Sequence, residues 1–257
     1  MSNPQTLLNL DGKRALVTGG SRGIGAATVQ LLASAGADVI VGYRTRVSEA
    51  EAVVDAARSA GVRSTSVAAD VSSQRGADAL VRTAMDELGG LDLFVANAGI
   101  WPAEDIPLTE MDDDHWHRTV RENLDSVFFT ARAALRVMSD GGSMVLVSST
   151  AGQRGEAFHA DYAATKGAVI SFTKSLAVEA APRDVNVNCV APGWVDTDMV
   201  KGTIETTGIH RIASGIPLRR IASPEDVAGP IVFLCSPLAR HITGEILNVN
   251  GGAVLCG

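Results

Sequence analysis

Two residues four apart in the chain, Tyr162 and Lys166, could carry out proton-transfer chemistry. They lie within 160–179, a stretch whose pattern predicts a helix, and residues four apart share one helix face. A cation held near a phenol favours the phenolate, so we expect the tyrosine pKa to fall below its ordinary value of about 10. Such a tyrosine can exchange a proton with a carbonyl or alcohol oxygen near neutral pH. The same spacing also occurs by chance, with a half-exposed tyrosine beside a solvated lysine.

A glycine-rich turn near the N-terminus could hold a phosphate. The run Thr18-Gly-Gly-Ser-Arg-Gly-Ile-Gly25 follows an apolar strand pattern at 14–18 and precedes an apolar, alanine-rich helix pattern at 26–35. Glycines let the backbone approach a pyrophosphate, and the N-terminus of the following helix offers N–H donors and the positive end of its dipole. A tight turn without a ligand is the alternative, but the flanking strand and helix favour a nucleotide site.

Small polar residues also follow two other apolar strand patterns. Ala96-Asn-Ala-Gly99 comes directly after the strand pattern at 91–95, and Ser149 follows the one at 143–148, thirteen residues before Tyr162. Open α/β sheets bind their ligands at the carboxyl ends of strands, which favours a site here. Ordinary turns and helix caps use the same residue types and are the alternative.

Together these segments resemble the short-chain dehydrogenase/reductase family, in its order and spacing, over about residues 11–252. The other matching segments are Asp70-Val71, Glu122-Asn-Leu-Asp-Ser-Val-Phe128, Asn188-Cys-Val-Ala-Pro-Gly193 and Thr197. The resemblance implies an α/β fold in which 1–257 form a single Rossmann-type domain, with a doubly wound parallel sheet of about seven strands and helices on both faces. It also implies an oxidoreductase with a nicotinamide cofactor and no metal.

The resemblance assigns chemical roles to four residues. It implies that Tyr162 is the general acid/base, that Ser149 polarises the substrate oxygen, and that Lys166 lowers the tyrosine pKa and holds the nicotinamide ribose. Asn123 would hold a water that links Lys166 to solvent as a proton relay. Negative charge builds on a ketone oxygen as hydride reaches its carbon, and the serine hydroxyl and tyrosine proton would stabilise that charge.

The resemblance also implies which residues contact the nucleotide. Residues near the glycine turn and after the second, third and fourth strands would hold the adenosine half, and residues after the sixth strand would fix the carboxamide. The expected contacts are Gly19, Ser21, Arg22, Gly23, Ile24, Gly25, Arg44, Asp70, Val71, Asn97, Ala98, Gly99, Tyr162, Lys166, Pro192, Gly193, Val195 and Thr197.

The end of the second strand indicates which nicotinamide cofactor is used. Dinucleotide-binding sheets usually place Asp or Glu there to hold the ribose 2′-hydroxyl. Here Arg44 follows the strand, Arg22 lies in the glycine turn, and Asp38 begins the strand instead of ending it. Two guanidinium groups would attract a 2′-phosphate, so we expect NADP(H) in preference to NAD(H). Two merely solvated arginines are the alternative.

The rest of the chain alternates strand and helix patterns, which predicts a parallel sheet covered on both faces. Segment 194–220 interrupts this rhythm after Pro192-Gly193, and we expect it to form a mobile lid over the substrate. The predicted strands are 14–18, 38–42, 63–68, 91–96, 143–148, 185–190 and 245–249. The predicted helices are 23–35, 47–60, 73–88, 112–138, 161–181 and 224–235.

Composition narrows the class of protein. A net charge of −7 argues against nucleic-acid and anionic-membrane partners, and no apolar run reaches the length of about 18 residues that a membrane span needs. Three cysteines, Cys189, Cys235 and Cys256, suggest free thiols in a reducing compartment. Residues 1–10 lack a basic segment followed by an apolar core, so no signal peptide is expected. We therefore expect a cytoplasmic protein.

Within the family the chain is most similar to 3-oxoacyl-acyl-carrier-protein reductases, through segments 217–228 and 244–252. Those reductases carry a basic cluster where this chain has Met138-Ser-Asp-Gly-Gly142, although Arg183 could supply one basic position. The expected function is NADP(H)-linked reduction of a ketone to a secondary alcohol, on an acyl thioester or a small carbonyl compound. The alternatives are an alcohol, sugar or steroid dehydrogenase and a catalytically silent nucleotide-binding protein.

Residues beside the motifs are candidates for the substrate pocket. These are Trp101, Gln153, Arg154, His159 and Trp194, of which Arg154 or His159 could pair with a polar or anionic substrate group. Each of these residues could equally have a structural or interface role. The resemblance further implies a homotetramer that pairs the helices at 112–138 and 161–181 and the last strand.

Overall fold

A seven-stranded parallel sheet runs through the computed structural model, which describes residues 8–255. Cys256 and residues 1–7 lie outside the described residues. The strands are β1 Arg14–Thr18, β2 Asp38–Tyr43, β3 Ser64–Ala68, β4 Leu91–Ala96, β5 Met138–Val147, β6 Asn186–Pro192 and β7 Ile246–Val249. Their order in the sheet is β3-β2-β1-β4-β5-β6-β7, so the direction of the crossovers reverses between β1 and β4. The predicted fold class is confirmed.

Helices cover both faces because successive strand residues point to opposite sides of the sheet. The helices are α1 Gly23–Ser34, α2 Val47–Ser59, α3 Gln74–Leu88, α4 Asp113–Val120, α5 Ser126–Val137, α6 Ala151–Arg154, α7 Ala160–Ala180, α8 Lys201–Thr207, α9 Ile209–Ser214 and α10 Pro224–Cys235. In β1, Val17 packs in the apolar layer beneath α1, α2 and α10, whereas its neighbour Leu16 packs beneath α3, α5 and α7.

The helix predicted at 112–138 is interrupted. A π-helical turn, Arg121–Asp125, separates α4 from α5 and contains Asn123, and the extra residue of such a turn is a feature often found at functional sites. The C-terminal end also differs, because Met138 pairs with Leu91 and β5 begins five residues before its predicted start. A shift of register then brings Ser143 opposite Leu93.

Segment 194–220 contains two short helices, α8 and α9, that the sequence pattern did not indicate. Ile212, Ile216 and Ile221 are buried together, with Trp194 and Ile204 packed against them. The segment therefore has a small apolar cluster of its own. Its role as a lid stays a prediction.

The carboxyl ends of the four central strands meet at one edge of the sheet. Val17 pairs with Val95, Val95 pairs with Val145, and Val147 pairs with Val190, so the residues that follow these strands are neighbours in space. The glycine turn, the segment after β4, Ser149 and Pro192 are brought together in this way. Within residues 8–255, no helix has both the length and the apolar character to cross a membrane.

Candidate active site

A continuous groove follows this edge of the sheet. One cavity of ≈ 130 Å³ surrounds Tyr162, and a second of ≈ 220 Å³ surrounds the glycine turn. The two share part of their lining, including Ile24, Asn97, Gly99 and Thr197. An extended two-part ligand could therefore occupy both cavities at once.

Tyr162, Lys166 and Ser149 lie together in the first cavity, as the sequence predicts. The lysine Nζ donates to the Val147 carbonyl at 3.0 Å, and its own carbonyl accepts from Ser148 Oγ at 2.7 Å. The end of β5 therefore holds the lysine at both its side chain and its backbone. Ser149, the next residue, lines the same cavity, and its side chain acts on the Tyr162 phenol by lowering its pKa.

The expectation that Lys166 lowers the pKa of Tyr162 is wrong. Burial raises the pKa of Tyr162 to about 12, and the hydrogen bond with Ser149 offsets only part of this rise. Burial also lowers the pKa of Lys166 to about 8. The lysine Nζ lies 5.7 Å from the phenol ring centroid, and both groups are removed from water, so burial disfavours the charged form of each.

Asn123 lies behind the first cavity and does not line either part of the groove. Its Oδ1 accepts from the Ile100 N–H at 2.7 Å, and its Nδ2 donates to the Ile100 carbonyl at 3.1 Å. A Cβ atom on Gly99 would approach Asn123 Oδ1 to 2.7 Å and Lys166 Nζ to 3.6 Å. Asn123 therefore fixes the backbone beside the lysine, and the relay water stays a prediction.

The glycine turn is packed too closely for side chains. Gly19 has a φ of 63°, and a Cβ on Gly25 would lie 2.2 Å from the Gly19 carbonyl oxygen. Asn97 Nδ2 donates to the carbonyls of Thr18 and Gly19, at 3.1 Å each, and so ties the turn to the end of β4. Gly25 allows this close packing without lining the groove itself, whereas the other predicted turn residues line the second cavity. These are Gly19, Ser21, Arg22, Gly23 and Ile24.

Arginines line the second cavity beside the end of β2. Arg44 pairs with Glu122 at 2.5 Å and Arg22 with Asp198 at 3.6 Å, so both predicted anion-binding residues already have acidic partners. A third arginine, Arg46, also lines this cavity and was not predicted from the sequence. Its position two residues after Arg44 was the signal that could have identified it.

The remaining predicted nucleotide contacts fall in the two cavities. Asp70, Val71 and Ala98 line the second cavity, and the Asp70 carboxylate accepts from the Ser72 hydroxyl at 2.7 Å, which lowers its pKa. At the other end of the groove, the predicted residues after β6 line the first cavity. These are Pro192, Gly193, Val195 and Thr197.

The predicted substrate residues divide into two groups. Trp101, Arg154 and Trp194 line the first cavity, together with Glu156, Met199 and Val200, which the sequence analysis missed. Gln153 instead donates to Asn248 at 2.5 Å, and His159 stacks behind Trp101 with ring centroids 4.2 Å apart. Neither Gln153 nor His159 lines the cavity, because each packs into the wall that supports it.

Sequence comparisons identify the family. The family model described as Enoyl-(Acyl carrier protein) reductase matches residues 19–254. A 3-oxoacyl-acyl-carrier-protein reductase, FabG of Vibrio cholerae, is 42% identical over 247 residues, which cover 95% of this chain and 98% of that protein. This chain belongs to the short-chain dehydrogenase/reductase family. The resemblance found in the sequence is thereby confirmed.

Solved structures agree with the assignment to the short-chain dehydrogenase/reductases. A short-chain dehydrogenase from Burkholderia cenocepacia in complex with NADP has a TM-score of 0.89 and 37% identity, covering 95% of this chain and 99% of that one. A blue fluorescent protein from a metagenomic library, in complex with NADPH, has a TM-score of 0.89 and 36% identity, covering 96% and 100%. The chain is an oxidoreductase that uses a nicotinamide cofactor to reduce a ketone.

One position considered for an acidic carrier protein is already occupied in this short-chain dehydrogenase/reductase. Arg183 Nε donates to Asp140 at 2.9 Å, and its two terminal nitrogens donate to the carbonyls of Leu135 and Met138. The arginine therefore closes the junction between α5 and β5. It offers little of its charge to a carrier protein.

Proposed function

We propose that this enzyme reduces a ketone to a secondary alcohol with NADPH, using Tyr162 as the proton donor. The observation that carries the proposal is the meeting of Ser149, Tyr162 and Lys166 in one cavity of a groove that continues to the glycine turn. The groove suits a dinucleotide because Gly19 and Gly23 line it with φ values of 63° and 53°, which side chains would strain, and because a side chain at Gly25 would strike the turn from behind.

Each residue has a distinct role in the proposed reaction. When bound, NADPH supplies the hydride that goes to the carbonyl carbon. Ser149 Oγ donates a hydrogen bond to the carbonyl oxygen, and Tyr162 transfers its phenolic proton to that oxygen as the charge develops. Lys166 binds the nicotinamide ribose, and Asn123 supports the proton relay that restores the tyrosine proton. Pro192, Gly193, Val195 and Thr197 orient the nicotinamide.

The burial of Tyr162 keeps its phenol protonated. A phenol with a pKa of about 12 keeps its proton at neutral pH, which is the state that a proton donor to a ketone requires. Oxidation of an alcohol would first require the same phenol to lose that proton. The resting phenol is therefore in the protonated form that the proposed reduction requires.

Tyr162→Phe tests the proton-donor role. We expect turnover to fall by about 10²–10⁴-fold, the usual contribution of general acid catalysis, while NADPH binding is retained because the phenyl ring still fills its place. Initial rates of nicotinamide oxidation and a direct titration of NADPH binding measure the two effects separately. A variant that keeps most of its rate would remove Tyr162 from the mechanism. A wild-type protein that binds NADPH and turns over no ketone would instead be catalytically silent.

The arginines at the adenosine end support NADP(H) as the cofactor. A 2′-phosphate would compete with Glu122 for Arg44 and with Asp198 for Arg22, and it could accept charge-assisted hydrogen bonds from both. Arg44→Asp should weaken NADPH binding by about 10–100-fold, since a hydrogen bond to a charged group contributes about 1.5–3 kcal/mol. NADH, which lacks the phosphate, is the matched control and should lose far less. Equal losses for both nucleotides would contradict the phosphate site.

The substrate class can be tested with acetoacetyl-CoA and a panel of small ketones and diketones. The relative from Vibrio cholerae is named for 3-oxoacyl groups on a carrier protein, which supports an acyl thioester. The internal hydrogen bonds of Arg183 and the negative net charge of −7 support a freestanding carbonyl compound instead. Turnover of the thioester with NADPH would favour the first, and turnover of small ketones alone would favour the second.

The proposal includes a cytoplasmic homotetramer with segment 194–220 as the lid of a single domain, 1–257. Exposed apolar side chains on α5 and α7, Phe128 and Val178, support pairing through these helices. Light scattering coupled to gel filtration measures the mass directly. A monomer at micromolar concentration would contradict this assembly.

A further inference from the structure

Two of the three tryptophans in the chain meet beside the catalytic tyrosine. Trp101 presents its ring to Tyr162 at 88°, with ring centroids 4.7 Å apart, and its centroid lies 6.4 Å from that of Trp194 at 69°. The two indoles come from different strand ends, after β4 and after β6, and together form a corner of the first cavity. We call these two residues the indole corner.

The indole corner is held by ring packing. Behind Trp101, the His159 ring is stacked almost parallel to it, at 13°, and is itself buried. Trp101 Nε1 is buried and makes no hydrogen bond within the described residues 8–255. The indole is therefore kept at this place by its aromatic contacts, and its position against Tyr162 is fixed from behind.

The first cavity continues beyond the indole corner with apolar residues and with one pair of opposite charges that cancel. Met199 and Val200 add apolar surface to the cavity. Arg154 and Glu156 are its charged lining residues on this side, and they pair with each other at 2.7 Å. An arginine that is already paired with a carboxylate attracts a charged substrate less than an unpaired arginine would. The wall therefore favours an uncharged substrate.

We propose that the preferred substrate is an uncharged ketone whose carbonyl carbon is attached directly to an aromatic ring, and that the ring packs into the indole corner. A carbonyl oxygen within reach of Ser149 and Tyr162 brings the group attached to its carbon against Trp101, because the indole touches the phenol. Aromatic rings gain from edge-to-face and offset contacts beyond simple area burial. A flexible linear acyl chain would lose more rotamer freedom there and gain no such contact.

This inference rests on the proposed ketone reduction and is tested with a matched pair of substrates. Ethyl benzoylacetate and ethyl 3-cyclohexyl-3-oxopropanoate carry the same 3-oxo ester and differ in whether the ring is aromatic. The ratio of their kcat/KM values with NADPH is measured for wild type and variants, so the different intrinsic reactivities of the two ketones cancel. Acetoacetyl-CoA is measured alongside as the linear thioester.

The tryptophans supply both the variants and the control. Trp194→Leu and Trp101→Leu should each lower the phenyl-to-cyclohexyl ratio by about 2- to 10-fold, the factor that corresponds to one lost aromatic contact. Trp194→Phe, which keeps an aromatic ring, should restore most of the ratio. Trp116→Leu is the matched control, since Trp116 lies partly exposed on α4 and lines neither cavity, and should leave the ratio unchanged.

The outcomes separate this inference from the proposed function. Wild-type preference for acetoacetyl-CoA, or a ratio that neither leucine variant changes, would overturn the aromatic substrate while leaving ketone reduction intact. If no ketone is turned over, the proposed function fails. Calorimetric measurement of how the two esters bind to the NADPH-loaded protein then tests whether the indole corner prefers an aromatic ring. Tighter binding of the phenyl ester that is lost in Trp194→Leu would still support it. Equal binding of both esters would overturn it.

Discussion

Replacing Lys166 by methionine should make the protein more stable at neutral pH, although it removes a residue of the proposed mechanism. The ammonium is almost entirely buried, with 4% of the residue exposed, and it donates to the Val147 carbonyl. Burial moves its pKa from the ordinary 10.5 to about 8. At neutral pH the lysine stays charged although burial disfavours the charge, and this destabilises the folded state; methionine has a similar length without the charge.

The size and sign of the effect follow from that shift in pKa. Between pH 8 and 10.5 the unfolded chain keeps a proton that the folded chain has released, so the contribution of Lys166 to stability rises with pH. Its cost is fully present below pH 8, at about 3 kcal/mol from roughly 1.4 kcal/mol per pKa unit. At about pH 9.5 the same relation leaves a cost of only about 1.5 kcal/mol. The advantage of the variant should therefore shrink by about 2 kcal/mol.

Urea unfolding at pH 7.0 and 9.5, at one protein concentration and without added nucleotide, measures this change. The hydrogen bond lost at Val147 costs about 1 kcal/mol at both pH values and cancels when the two differences are compared. Lys174→Met is the control, because Lys174 is exposed on the same helix and its ammonium stays in water when the chain folds. If the Lys166→Met and wild-type curves stay parallel between the two pH values, burial does not destabilise the charged lysine and the reasoning is refuted.

Two further substitutions test the packing around the site. His115→Ala should lower the unfolding free energy by about 1–3 kcal/mol, because His115 Nε2 lies 3.1 Å from the buried Asp161 carboxylate, whose oxygens make no hydrogen bond within the described residues. In an Asp161→Asn background the loss should be less than half as large, and equal losses in denaturant unfolding would contradict the pairing. Gly25→Ala should abolish NADPH binding in a titration, since its Cβ would overlap the Gly19 carbonyl, whereas Gly202→Ala, in open space, should bind normally.

The sequence predicts the layout of the site well because that layout depends on strand ends. Apolar runs at 14–18, 91–95 and 143–148 identify parallel strands, and the residues directly after such strands must meet at one edge of the sheet. Tyr162 and Lys166 share a helix face whatever the tertiary structure is. The register of the sheet then brings the helix to Ser149 with little freedom left.

Contacts between distant segments could not be predicted in the same way. The run His115-Trp-His117 indicates only a polar start of a helix, yet its first histidine pairs with Asp161, forty-six residues later. Likewise, Arg44 has no acidic neighbour in the sequence that would suggest its pairing with Glu122. The π-helical turn that contains Asn123 has no signal in the apolar periodicity, because one added residue displaces that pattern only locally.

The protonation of Tyr162 shows why residue spacing alone is not enough to derive chemistry. A lysine four residues away favours the phenolate only while the Coulomb interaction between the two exceeds the cost of removing both groups from water. Here the Val147 carbonyl holds the ammonium 5.7 Å from the ring centroid, and burial dominates for both side chains. The phenol therefore retains its proton. The protonated phenol is the form that the proposed ketone reduction requires, because the developing alkoxide needs a proton donor.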